Sequence, residues 1–170
     1  MHQLGLWQAK NGRPHGSAKN GPSPEPIPRM TMRERYDSIV IEMKQTYQLR
    51  IRKWRKSMSG CAWQVVYRDG TVARLIESPY PTGPMSCAIF LHEVGHHAIG
   101  FGVWRPRCLE ELRAWEWSLA TMYKHKLNVT PAVQKRMHDS LSYAVAKAVR
   151  RGLKRLPVDL VPYLPIARSL

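Results

Sequence analysis

"AIFLHEVGHHAIGFG", residues 88–102, sets three of the chain's seven histidines and one glutamate into an otherwise apolar run. A segment this apolar belongs in a core, yet imidazole and carboxylate groups are costly to bury without hydrogen bonds or a metal. Within it, His92-Glu93-Val94-Gly95-His96 has the spacing H-E-x-x-H. Helical residues four apart share a face, so His92 and His96 can aim neutral ring nitrogens at one Zn2+ ion. Glu93 stands next along the helix, where its carboxylate reaches a metal-bound water rather than the metal. The competing reading is a core helix whose histidines are satisfied by hydrogen bonds. Gly95 costs about 1 kcal/mol of helix propensity relative to Ala, so its place inside the motif implies a close packing partner. His97, five residues beyond His92, lies well around the helix from the ligand face and reads as half-exposed or as a group behind the ligands.

The neighbouring segments place this stretch. Ser86 reads as the N-cap of a helix over residues 87–100, with Gly100 and Gly102 as stop signals. After the breaker "SMSG", "CAWQVVYRDGTVARLIES" (residues 61–78) is rich in β-branched and aromatic residues and is interrupted by Asp69-Gly70, a strong hairpin signal. Upstream, Thr31 and Glu34 have capping-box spacing. The apolar residues from Tyr36 to Trp54 recur every three or four positions, which predicts one long helix to about residue 57 with the basic ending "RIRKWRK". Downstream, one helix runs from near Pro106 to near Leu127, and another starts at Thr130-Pro131 and ends near Gly152. The proline-broken end, "LKRLPVDLVPYLPIARSL", predicts irregular packing. Cys87, Trp115, Trp117, Met122 and Tyr123 read as core.

Residues 1–29, rich in Gly, Pro and basic side chains with few apolar anchors, read as a mobile tail, leaving 30–170 as a single α+β domain. Lys and Arg number 27 against 12 Asp and Glu, a net charge of +15 that favours anionic partners. Three cysteines without a C-x-x-C pair argue against a disulfide framework. With no signal-like leader and no long apolar span, the reading is a soluble, cytoplasmic protein with no membrane partner.

Two histidines leave a catalytic zinc site one protein ligand short. The extended pattern H-E-x-x-H-x-x-G-x-x-H is absent, because Ile99 and Gly102 stand at its last two positions. Glu110, Glu111 and Glu116 open the following helix, and a carboxylate there would complete a His2Glu set. Their alternative role is an acidic first turn complementing the helix dipole, with Glu116 a surface carboxylate or a partner of Arg113. His125 and His138, each isolated on its helix, read as surface histidines.

H-E-x-x-H followed on the next helix by E-x-x-A resembles the gluzincin side of the zincin metallopeptidases. The compact layout, with a short sheet ahead of the motif helix, resembles the small ImmA/IrrE-type peptidases. In that family a later E-x-x-A-N-x-F-A supplies the third ligand. Here Glu111 and Ala114 match its first and fourth residues, while Trp115 and Trp117 stand where Asn and Phe are usual. The resemblance covers roughly residues 60–123. It implies a zincin-like fold, Zn2+ held by His92, His96 and Glu111, and Glu93 as general base in peptide-bond hydrolysis, with a transcriptional repressor as substrate. Glu110 stays the rival third ligand, since one residue of register exchanges the two. The oxyanion stabiliser is open among His97, His125, His138, Tyr80 and Tyr123.

A function of another class also fits. The segments "RIRKWRK" and "KAVRRGLKR" put dense positive charge on two expected helix faces, suited to nucleic acid or an acidic protein. On that reading the chain is a nucleic-acid-binding or adaptor protein whose metal site is structural or vestigial.

Overall fold

The computed structural model of the chain describes residues 30–164. The expected tail over 1–29 lies outside the described residues. The described chain is α+β: α1 (Met32–Thr46), β1 (Leu49–Trp54), β2 (Cys61–Val66), β3 (Val72–Ser78), α2 (Pro84–Ile99), α3 (Arg107–Lys124), α4 (Pro131–Arg150) and a 3-10 helix over Val158–Tyr163.

The capping box forms as its spacing requires. The Thr31 Oγ1 accepts the Glu34 backbone N–H at 3.2 Å, and the Glu34 carboxylate accepts that of Thr31 at 2.7 Å. The helix it opens ends at Thr46, well short of residue 57. Gln48 adopts the left-handed region at φ 51°, turning the chain into β1. The sequence here fits two periods at once. Tyr47, Ile51 and Trp54 have helical spacing, but Leu49 and Ile51 also alternate with Arg50 and Arg52. The strand period prevails because β3 offers a partner backbone: β1 pairs parallel to it, Leu49 with Arg74 and Ile51 with Ile76. The first basic segment is therefore an edge strand and not a helix face.

The expected hairpin is present, with β2 and β3 antiparallel from Cys61 opposite Glu77 to Val66 opposite Val72. Gly70 takes φ 82° in its turn, and the Asp69 carboxylate accepts the Thr71 N–H at 2.9 Å. The strand order is β1-β3-β2, so β3 is central and β2 is an edge.

Helix α2 starts earlier than expected. Gly83 is its N-cap and Pro84 its first residue, where a fixed φ suits the first helical position. Ser86 instead lies inside the first turn, its Oγ accepting the N–H groups of Thr82 (2.9 Å) and Gly83 (3.1 Å). Every α2 residue from Ser86 to His97 is buried. A helix enclosed on all sides needs apolar side chains all round, which is what residues 87–91 and 94 supply. α2 packs against the sheet, against α3 and against α4. His97, buried rather than half-exposed, ties α2 to the sheet by donating its Nε2–H to the Leu75 carbonyl at 3.1 Å. Ser118 on α3 donates to the Ala88 carbonyl at 2.8 Å.

Cys87, Trp115 and Met122 join the core as expected and Trp117 packs at its margin, whereas Tyr123 faces solvent. The three cysteines are free. Among the described residues, no helix is long and apolar enough to cross a membrane.

Gly95 lies close against the α3 backbone: an added Cβ would stand 2.8 Å from the Ala114 carbonyl oxygen and 3.3 Å from its Cα. Backbone atoms there cannot yield cheaply, so Gly95→Ala is expected to destabilise by about 1–3 kcal/mol despite the better helix propensity of Ala. Chemical denaturation tests this, and an unchanged or raised midpoint would contradict the close packing.

Candidate metal centre

Four residues of separation place His92 and His96 on one face of α2, and the first turn of α3 abuts that face. Successive helical residues differ by about 100° in direction, so neighbouring carboxylates at Glu110 and Glu111 must serve different sides. Glu111 takes the side facing both imidazoles. Its Oε2 lies 3.3 Å from His92 Nε2 and 3.6 Å from His96 Nε2. Glu110, 1% exposed, turns behind His96: its Oε1 is 3.2 Å from His96 Nδ1 and its Oε2 accepts the Gly102 N–H at 2.9 Å. Arg107 braces the pair, its Nη1 3.0 Å from Glu110 and its Nε 3.0 Å from Glu111. Of the two rival ligands, then, Glu111 faces the histidine pair and Glu110 orients one histidine from behind.

His92, His96 and Glu111 each offer one ligand atom within 4.8 Å of the others. In a tetrahedral site with bonds of about 2.0–2.2 Å, adjacent donors stand about 3.3–3.6 Å apart. The two His–Glu111 separations, 3.3 and 3.6 Å, fall in that range, and the donors as a set lie within 4.8 Å of one another. The outer contacts agree with it too: a carboxylate on Nδ1 of His96 leaves Nε2 with its lone pair toward the centre. His92 has no such partner, since its Nδ1 is buried and unpaired, and its ring is instead stacked on Trp115 at 4.4 Å. Comparison with protein-family models, curated proteins and solved structures found no match.

Without a cation, the negative charge of the carboxylates is met in part by a proton on His96, which a metal would have to displace. Burial depresses the His92 pKa against the opposing pull of Glu111, favouring the neutral ring. Burial also disfavours charge on His96, but its hydrogen bond to Glu111 and the nearby carboxylates prevail and raise it. For Glu111, burial opposes ionisation, yet the two imidazoles hold its carboxyl well below the ordinary carboxylate range. Glu93 is shaped by burial, which pushes its pKa up to about 7 against the pull of His96.

The Glu93 carboxylate occupies the space that a side chain at residue 60 would take. A Cβ on Gly60 would stand 2.3 Å from the Glu93 Oε1 and 2.6 Å from its Cδ. Gly60 reads in the sequence as a mere breaker before β2; nothing local signals that a glutamate from α2 will lie against it. Both residues open on a cleft of about 620 Å3 floored by His92, His96 and Glu111, with the start of β2 on one side and α4 on another.

None of the five expected oxyanion stabilisers lines this cleft. Tyr80 donates to Asp37 at 2.6 Å, His97 is bonded to the sheet, and His125 lies 3.6 Å from Glu42. His138 packs on Tyr163, and Tyr123 is exposed. The hydroxyls that do line it are Ser140 and Tyr143 of α4, along with Ser59. Glu116 pairs with Arg113 at 2.8 Å, as its spacing implied.

Titration with Co2+, followed by its d–d absorption, is expected to show one tight site per chain. That site should disappear in Glu111→Ala, weaken about 10–100-fold in Glu110→Ala, and persist in Glu116→Ala. Wild-type affinity in Glu111→Ala would remove that residue from the centre.

Proposed function

We propose that this chain is a zincin-like, zinc-dependent metallopeptidase, with His92, His96 and Glu111 as metal ligands and Glu93 as the general base. The observation that carries this reading is the convergence of Glu111 on the two imidazoles at the floor of an open cleft, with Glu93 beside them. When bound, Zn2+ supplies a Lewis acid that acidifies a water and polarises a carbonyl.

The chain's own residues do the remaining work. Glu93 takes the proton of the attacking water and returns it to the amide nitrogen as the C–N bond breaks. Gly60 lets that carboxylate reach the cleft, while Glu110 and Arg107 fix the directions of His96 and Glu111. β2 supports the reading by its position. As an edge strand whose first residues line the cleft, it offers unpaired backbone groups to which an extended peptide can add as a further strand. Free cysteines, one of them exposed, suit a reducing compartment, and we place the protein in the cytoplasm.

The reading of another class, a basic nucleic-acid-binding or adaptor protein, assigns no work to Glu93. Glu93→Gln therefore separates the two. It is expected to retain one equivalent of zinc while kcat/KM on an unfolded protein substrate falls about 10²–10⁴-fold. Undiminished hydrolysis by this variant, or nucleic-acid binding as the sole activity and indifferent to it, would overturn the proposal.

A further inference from the structure

The cleft's walls differ in charge. Its carboxylates, Glu93 and Glu111, lie at the floor among the histidines. Along α4, Arg136, Ser140, Tyr143, Lys147 and Arg151 all line it. Their spacings of four, three, four and four residues keep them on one face of the helix, with Arg151 at its C-cap. Asp139 is the helix's sole acidic residue and is engaged by Lys135 at 2.6 Å.

Three of these five positions are cationic, and among the described residues none has a carboxylate within ion-pair distance. Arg136 reaches across to the Met58 carbonyl at 3.1 Å, bridging α4 to the segment before β2. Lys147 stands 5.9 Å from the Tyr143 ring, on that residue's side of the cleft. Arg107, the remaining cation of the lining, is held by Glu110 and Glu111. The cleft therefore has spent its own negative charge around the histidines and keeps unpaired positive charge along one wall, where an occupant passes.

We infer that the cleft selects acidic polypeptide segments, the basic face of α4 reading aspartate or glutamate side chains beside the bond presented to His92, His96 and Glu93. This rests on the peptidase reading for what happens to the segment, but its recognition step can be measured without turnover. The basic face and the edge of β2 flank one cleft, so a peptide paired with β2 has side chains within reach of α4. A polypeptide is favoured over nucleic acid because the sheet edge supplies backbone pairing that a sugar-phosphate chain cannot use.

The test uses the full chain carrying Glu93→Gln, loaded with zinc, and fluorescence anisotropy of labelled ten-residue peptides matched in length but rich in Asp/Glu, in Lys/Arg, or neutral. A labelled DNA duplex is the competing probe. The acidic peptide is expected to bind best, with affinity falling as salt rises. Lys147→Glu/Arg151→Glu is expected to weaken it about tenfold and to shift preference to the basic peptide. The milder Lys147→Gln/Arg151→Gln should lower acidic-peptide affinity without that shift, and Lys44→Glu on α1 should change neither.

Equal binding of the three peptides, or no response to either α4 pair in protein that still melts cooperatively, would overturn the inference; these cations would then serve only the C-terminal end of α4. Tighter binding of the duplex than of the acidic peptide, lost on the same substitutions, would overturn it in favour of nucleic acid. Parallel cleavage assays with Glu93 intact keep the two claims apart. Hydrolysis without acidic preference sinks this inference alone, and acidic preference without hydrolysis sinks the peptidase reading alone.

Discussion

Buried imidazoles need partners, and the arrangement of α2 against α3 follows from that need. An α2 that is buried from Ser86 to His97 carries His92, Glu93, His96 and His97 into surroundings where an unpaired polar group is destabilising by a few kcal/mol. The three histidines are answered differently. Leu75 of the sheet accepts from His97, Glu110 meets His96 from behind, and Glu111 faces His92 and His96 together. The last contact requires α3 to lie close, which Gly95 permits by leaving room for the Ala114 backbone. One packing decision thus sets the distance between helices and the geometry of the donor set.

The same decision shapes the cleft. Glu93, which has neither an ion pair nor a side-chain hydrogen bond among the described residues, lies against Gly60 just before the edge strand. Two glycines therefore border this group: Gly95 leaves room for the α3 backbone and so for Glu111, and Gly60 leaves room for the Glu93 carboxylate. Helix α4 closes the far side of the cleft with side chains that contribute charge rather than ligands. The histidines and carboxylates of the floor and the cations of the wall thus come from separate elements.

Much of this was legible from residues alone where a signal is local. Asp69-Gly70 fixed the hairpin because its turn demands a positive φ, and the four-residue spacing of His92 and His96 set their shared face. Gly95 was readable as a close approach. Glu110 and Glu111 were not separable by spacing, since a one-residue difference rotates a side chain by about 100° and both occupy the same helical turn. Leu49–Trp54 satisfied helix and strand periods equally, and the availability of β3 as a partner decided it. Tyr80 looked available for the site only because Asp37, which accepts its hydroxyl proton from forty-three residues away, is distant in sequence. The cleft-facing residues of α4 have helical spacing, but which face meets α2 is a property of the tertiary packing.

The central claim is that two histidines and one carboxylate hold a single ion. Cys61 and Cys108 also line the cleft, so sulfur is the chemically serious rival donor. X-ray absorption at the zinc edge of the loaded protein measures the difference directly. The account predicts only nitrogen and oxygen neighbours at about 2.0–2.2 Å, with imidazole multiple scattering from two histidines. A sulfur neighbour at about 2.3 Å, or a shell without histidine, would contradict it.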